Sequence, residues 1–435
     1  MKIHIKNGRL IDPKNQIDTI SDLFIAAGKI IAVGQKPEGF HANRVIDASQ
    51  KIVCPGLVDL SARLREPGFE YIATLESEMD AATAGGITSL ACPPDTDPPL
   101  DEPGLVEMLK YRARNRHKAR VYPIGALTAG LKGVQLTEMA ELRDAGCVAF
   151  SQANVALQDN QVLFYAMQYA ATFNIPVWLQ AQDASLARNG VAHDGAVATR
   201  LGLPAIPVCA ETTALAVILI LAKATGARVH LCRLSSFEAI EMVRVARREG
   251  ARITCDVAIH HLHLSEMDIG YFDPNCHLIP PLRAQRDRDA LRKALADHTV
   301  DAVCSDHCPV DDDAKQIPFS EAEPGATGLE LLLPLTLKWA EEDEIPLSRA
   351  LSRVTSDAAH ILGIDAGHLS VGAEADVCVF DPERYWTVGP KTLMSQGKNT
   401  PFSGYELKGR VLYTLVGGQI AHELPQLPQL PLNVP

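Results

Sequence analysis

The sequence predicts an α/β protein: a (β/α)8 TIM barrel with a small β-sandwich domain assembled from both chain ends. Three observations carry this expectation. Eight short apolar segments recur through the long middle of the chain, most of them leading into a stretch of helical periodicity. Both ends read instead as short strands and turns. The first strand-to-helix turn has no GxGxxG, which weighs against the runner-up, an open doubly wound sheet.

In order, residues 1–53 give the first part of the β domain: KIHIKNGRLID as one strand, DLFIAAGKIIAVG as a hairpin, then RVIDASQKIVCPG leading onward. Residues 54–365 give the barrel. Its strands are expected in GLVDLSARL, GITSLAC, RVYPIG, CVAFSQA, PVWLQA, RVHLCRL, RITCDVA and DAVCSDH. Segments such as LESEMDAATAG, LTEMAELRDAG and SSFEAIEMVRVARREG have the spacing of amphipathic helices. The last two strands lead instead into long loops, about 264–282 and 309–328. Residues 366–422, with GAEADVCVFDP and ELKGRVLYTLVGGQIA, complete the β domain. The tail 423–435, ELPQLPQLPLNVP, repeats Leu-Pro-Gln and favours an extended polyproline-like chain. It reads as a disordered tail or as a strap for a neighbouring subunit.

A chain of 435 residues with net charge −12 has ample core and lacks the basic footprint of a general nucleic-acid binder. MKIHIKNGRLID alternates like a strand and does not resemble a secretory signal. The apolar run Ala216–Ala224 is too short to span a bilayer and reads as a buried helix. Ten cysteines without a CxxC pair read as buried thiols. A soluble, cytoplasmic protein is expected.

Working residues of a (β/α)8 barrel sit where its strands end. Those ends are Asp59–Gly68, Cys92–Pro98, Ala149–Asn154, Trp178–Asp183, His230–Ser236 and Cys304–Val310. Together with the Arg-Glu-Pro-Gly turn (Arg65–Gly68), AATAGGITSL, the Gly190–Glu211 stretch, PPLR (Pro280–Arg283) and GKNTPFSGYELKGRV (Gly397–Val411), they resemble type I dihydroorotases of the amidohydrolase superfamily. The resemblance covers nearly the whole chain. It implies an amidohydrolase-type barrel and the interconversion of dihydroorotate and carbamoyl-aspartate. It also implies zinc, which polarises the carbonyl and supplies hydroxide at neutral pH.

The residues that zinc requires are largely missing. The family's His-x-His falls on Ser61 and Arg63, its Asp pair after strand 4 on Gln152 and Ala153, and its strand-5 and strand-6 histidines on Gln180 and Arg233. The strand-8 aspartate alone persists, as Asp306. Of the substrate-holding positions Arg65 persists, while others become Asp95, Ile279 and Val310. Arginine has no lone pair to offer a metal. The expectation is that zinc is lost, with no cofactor in its place, and that Arg63 or Arg233 supplies the charge beside Asp306 and keeps it ionised. The competing reading turns both arginines to solvent.

Other residues offer weaker site candidates. His260, His261 and His263 read as hydrogen-bonded histidines, with His261 and His263 on one face of a strand-like segment. His307 and Cys308 flank Asp306 without forming a metal cage. Asp95 and Asp97 read as a solvated loop pair, Arg65 as a structural ion pair with Glu66, and Ser235-Ser236 as lacking a base. No GxSxG, P-loop or HExxH motif occurs. The resemblance implies a non-catalytic, oligomeric partner of aspartate carbamoyltransferase in pyrimidine biosynthesis. Two alternatives stand beside it: a cyclic amide hydrolase with a rebuilt site, and a module binding an anionic metabolite through Arg63, Arg65 and Arg233.

Overall fold

The computed structural model describes residues 1–425, so most of the predicted tail lies outside the described residues. Eight parallel strands form the centre: β1 (Leu57–Asp59), β2 (Ile87–Cys92), β3 (Arg120–Ala126), β4 (Ala149–Ser151), β5 (Val177–Leu179), β6 (Val229–Leu231), β7 (Ile253–Ala258) and β8 (Ala302–Cys304), each paired with the next. Buried on both faces, β2, β5, β6 and β8 read as ITSLAC, VWL, VHL and AVC rather than as alternating patterns. The ring closes just beyond β1 and β8, where Ala62 bridges His307 in parallel. There the Arg63 N–H donates to the His307 carbonyl (2.9 Å) and the His307 N–H to the Ser61 carbonyl (3.1 Å). The barrel is therefore the (β/α)8 fold predicted.

Inside the ring, small residues such as Ala91, Ala149 and Ala302 leave room for Trp178, whose ring lies 4.6 Å from that of His230. Outside, helices pack apolar stripes against the strands. Phe237–Arg248 is capped by the Ser236 hydroxyl and buries Ala239, Ile240, Val243 and Ala246. Leu75–Ala84 stops at Gly85-Gly86 because neither position has space for a side chain. A Cβ at Gly85 would meet the Leu329 carbonyl oxygen at 2.3 Å, and one at Gly86 (φ +85°) the Cys378 sulfur at 2.6 Å.

One expectation fails here. The run Ala216–Ala224 belongs to an 18-residue helix, Val208–Thr225. It is the one helix among the described residues long and apolar enough to cross a membrane, with mean hydropathy 1.7, yet only 28% of it is buried. It is neither short nor wholly buried, because only one side leans on the barrel.

The terminal strands form one mixed sheet. Lys2–Asp12, Ile17–Ala26, Lys29–Val33, Arg44–Asp47 and Ile52–Pro55 come from the N-terminal end. Val377–Thr387, Glu406–Val416 and Gln419–Glu423 come from the C-terminal end. The first strand forks. Ile3–Lys6 pairs with Arg44–Asp47, while Arg9–Leu10 pairs with Ile52–Val53. The register breaks between Ile5 and Gly8, and a Cβ at Gly8 would meet Val53 at 2.5 Å. That fork lets the sheet enclose its own core of Ile3, Ile5, Leu23, Ile25, Val377 and Leu415.

Candidate functional site: an arginine-filled barrel mouth

The ends of β1, β2, β4, β5, β6 and β8 converge on one buried polar network. Arg63 and Arg233 are each 5% exposed and Asp306 is 7% exposed. Arg233 donates through Nη1 to Asp306 Oδ1 at 2.7 Å, and through Nη2 to Asn154 Oδ1 (2.7 Å) and Gln180 Oε1 (3.0 Å). Arg63 reaches the same Asp306 oxygen through Nη1 at 3.5 Å, while its Nε donates to Asp95 at 2.7 Å. Both guanidiniums thus turn inward. The chain leaves β6 and β8 in the left-handed region, at φ +54° for Arg233 and +45° for Asp306, a conformation uncommon for residues other than glycine.

Charge compensation is local. Burial is the largest influence on the Arg63 cation and disfavours it, but Asp95, Cys308 and Asp306 together outweigh it, and the group is held above its ordinary range. Burial, the largest influence, likewise opposes the Arg233 charge and Arg63 repels it, but Asp306 and Cys232 together hold the group above its ordinary range. Burial pushes the Asp95 carboxyl up, while Arg63 pulls it further down, to below the usual carboxylate range. The solvated Asp95–Asp97 pair expected from the sequence is therefore corrected. Asp95 belongs to the mouth, and Asp97 stays exposed.

The remaining positions are occupied as follows. Gln152 donates to the Leu131 carbonyl (2.7 Å) and accepts from Thr128 (3.0 Å), so its amide serves the loop after β3. Ala153 sits at φ +51°, its N–H held by Ser151. Ser61 lies on the barrel seam. Arg65 does not pair with Glu66, as the sequence suggested; it donates to the Pro309 carbonyl at 2.8 Å and to the Cys308 sulfur at 3.2 Å. Glu66 instead holds Arg112 and the Leu75 N–H. Ile279 is half-buried. Val310 is 1% exposed, and its N–H donates to Asn399 (3.0 Å). Beside the mouth lies a cleft of about 500 Å³ whose lining includes Gln152, Ala153, Gln180, Asp183, Arg188 and Thr213.

Zinc is the metal this type of barrel implies, and the donor set does not fit it. Two of the positions carry guanidiniums without lone pairs. The Gln180 oxygen is taken by Arg233, and the Gln152 oxygen by Thr128. Among the described residues, no three His, Cys, Asp or Glu side chains come together in a way that could hold a metal ion.

The histidine string lies on a one-turn helix, Ile259–Leu262, and not on the strand-like segment expected. His261 donates to Pro280 and His263 to Leu335, as expected; His260 is corrected, since neither ring nitrogen has a partner among the described residues and the ring stacks on Phe402. Ser235 is held by Glu211 and Arg283.

Sequence reasoning missed Asn154 as a partner of Arg233. It also missed the layer behind the mouth. His307 Nε2 meets Glu78 at 2.6 Å, and its Nδ1 accepts the Gly328 N–H (3.1 Å); this fixes the neutral tautomer with the proton on Nε2. Glu78 also accepts from Ser395 Oγ (2.6 Å) and the Gln396 N–H (3.0 Å). Asn399 Nδ2 donates to the Cys308 and Gly325 carbonyls, both at 3.0 Å. The one available signal was that Glu78, unlike Glu76 and Asp80, shares the helix face of Leu75, Met79 and Ala82, where burial would force it to find partners.

A closed (β/α)8 barrel with polar strand ends at its mouth, flanked by a sheet from both termini, defines a class. The chain belongs to the amidohydrolase family, which it matches over residues 187–421. Within it the chain is dihydroorotase-like, and residues 50–239 match the dihydro-orotase-like family. It is 45% identical over 423 residues to a dihydroorotase-like protein of Pseudomonas aeruginosa, covering 97% of this chain and 100% of that one. It is 41% identical over 424 residues to a dihydroorotase of Syntrophotalea carbinolica, covering 98% and 100%. Among solved structures, L-hydantoinase from Arthrobacter aurescens superposes with a TM-score of 0.87 at 25% identity, covering 97% of this chain and 96% of that one.

Proposed function

We propose that this chain is a non-catalytic dihydroorotase-like protein of pyrimidine biosynthesis, without zinc, that acts in the cytoplasm as an assembly partner of aspartate carbamoyltransferase. The observation that supports this most directly is the Arg233–Asp306 contact. A guanidinium occupies the strand-6 histidine position of active relatives and engages the one carboxylate that would carry a proton. The barrel around it persists, and interface energy comes from buried surface and anchors rather than from a pocket. The same pairing weighs against an anion-binding module, since Arg63 and Arg233 are already matched by Asp95 and Asp306.

The test uses one purified sample prepared without chelator. Metal content and dihydroorotate turnover are measured, and the protein is then mixed with aspartate carbamoyltransferase on a sizing column. The expected result is substoichiometric metal, no turnover with or without added zinc, and co-elution. Turnover would assign a rebuilt hydrolase site instead. Separate elution at micromolar concentration would remove the assembly role.

A further inference from the structure

At the end of the barrel opposite the mouth, the starts of β5, β6 and β7 and the helix Ser356–Leu362 enclose a cavity of about 460 Å³, a size typical of small-molecule sites. The chain carries net charge −12, yet among the described residues no Asp or Glu lines this cavity. Arg228, Arg252 and His360 do. Val229 pairs with Ile253 across β6 and β7, so Arg228 and Arg252, one residue earlier, stand side by side on strands about 5 Å apart. The sheet fixes both positions. The Arg228 carbonyl accepts the Val177 N–H (2.9 Å), and the Arg252 carbonyl accepts the Val229 N–H (3.2 Å). Arg228 has one long contact, to Asn174 Oδ1 at 3.5 Å, and neither guanidinium pairs with a carboxylate among the described residues. Trp178 and His230, each 2% exposed, line the inner part of the cavity. His230 has both ring nitrogens engaged, Nδ1 with Thr254 (2.9 Å) and Nε2 with Asp256 (3.0 Å). The buried indole N–H of Trp178 has no acceptor. Trp339 and Trp386 share that lack, but the first is packed in the apolar core and the second lies under the Arg410 guanidinium.

We infer that this cavity binds the phosphate group of a small molecule, held by the Arg228 and Arg252 guanidiniums, with one of the ligand's oxygens accepting from Trp178 Nε1. Two adjacent cations without counter-charges repel each other, and a dianion between them satisfies both. A phosphate dianion does this with oxygens that match two guanidinium forks, whereas a single carboxylate neutralises only one. Depth sets the size of the ligand. The arginines stand at the rim, with Arg252 exposed and Arg228 half-buried, while the indole N–H is buried. A compact phosphate or phosphate ester reaches both, and the backbone of a nucleic acid does not. Arg233 and Asp306 lie at the other end of the strands, so the site stands whether or not the mouth is catalytic.

The full chain is titrated calorimetrically at constant ionic strength, in chloride, with inorganic phosphate and with ribose 5-phosphate. Saturable binding of one phosphate group per chain is expected. Tighter binding of the ester assigns the site to a phosphorylated metabolite, and equal binding assigns it to free phosphate. The chain has three tryptophans, and the indole N–H resonance that shifts on binding is expected to be the one missing from Trp178→Phe. Arg228→Gln/Arg252→Gln is expected to weaken binding by at least about tenfold, with unchanged melting in the absence of ligand. Trp178→Phe is expected to weaken it about fivefold. Should Trp178→Phe fail to fold, the double arginine variant and the wild-type indole shift carry the test. Absence of saturable binding overturns the inference. So does binding that is unchanged in the double arginine variant, or that shifts no indole resonance.

Discussion

Arg233 and Asp306 face one another across the barrel mouth at 2.7 Å, joining the end of β6 to the end of β8. Both are buried, so neither charge has water to fall back on. Removing Asp306 leaves the Arg233 cation buried without its counter-charge, and removing Arg233 leaves Asp306 only the longer Arg63 contact, each at a cost of up to about 3–5 kcal/mol. Arg233→Met and Asp306→Leu are each expected to lower unfolding free energy by that order in urea titrations. The double variant should recover much of the loss. Additive losses in the double variant would show that the two side chains do not act as a pair.

Restoring the missing donors tests what the barrel has kept. The variant Ser61→His/Arg63→His/Gln180→His/Arg233→His replaces two cations with imidazoles, the commonest metal ligands. It is expected to take up close to one zinc per chain by elemental analysis, well above the wild type. A metal content equal to that of the wild type would mean that the strand ends have drifted from coordinating geometry.

Stability should climb with pH from about 4 to 6.5. Burial lowers His260, His261, His277 and His422 to about 4 and His263 to about 3. The unfolded chain therefore binds more protons in that window, and acid favours unfolding. Asp59 and Glu330 act in the opposite sense. Burial raises both to about 7, so their contribution is present below pH 4 and is lost as pH rises through 7. Five histidines outweigh two carboxyls below 6.5, and only the shallow carboxyl slope remains above it. Melting temperature against pH checks this. Asp59→Asn is expected to flatten the segment between pH 6.5 and 7, and a steeper one would reverse the assignment.

Asn399 holds the chain after β8 with three hydrogen bonds, to Cys308, Gly325 and Val310. Asn399→Ala leaves those backbone groups unpaired in a buried place, at about 2–4 kcal/mol in total. Amide exchange at Val310 and the neighbouring amides is expected to accelerate, with β3 and β4 unaffected. Unchanged exchange at Val310 would assign its protection to packing alone.

The barrel was legible because fully buried strands write short runs without a charged residue, such as ITSLAC and AVC, and neighbouring helices write their period. The charge substitutions were legible too, since an arginine at a strand end is visible without coordinates. A guanidinium beside Asp306 was anticipated as well; the further partners of each arginine were not. They include Asp95, 32 residues from Arg63, and Asn154, 79 residues from Arg233, separations that no local pattern encodes. The Ile259–Leu262 turn was misread because a short His-His-Leu string has no period to separate strand from helix. The exposed side of Val208–Thr225 was misread because the stretch between Thr213 and Lys223 is wholly apolar and has no polar face to declare which side is outward.

The Glu78–Ser395 and Asn399–Cys308 links have a consequence for the order in which the protein is made. Residues 395–399 fasten the first barrel helix and the chain after the eighth strand, so these links cannot form until residues 395–399 have been made. A nascent chain halted at residue 390 would hold all eight strands yet present Glu78 without its serine and the Cys308 and Gly325 carbonyls without their amide. A chain that stops short of residue 395 therefore lacks both clasps on the barrel, however complete its strands.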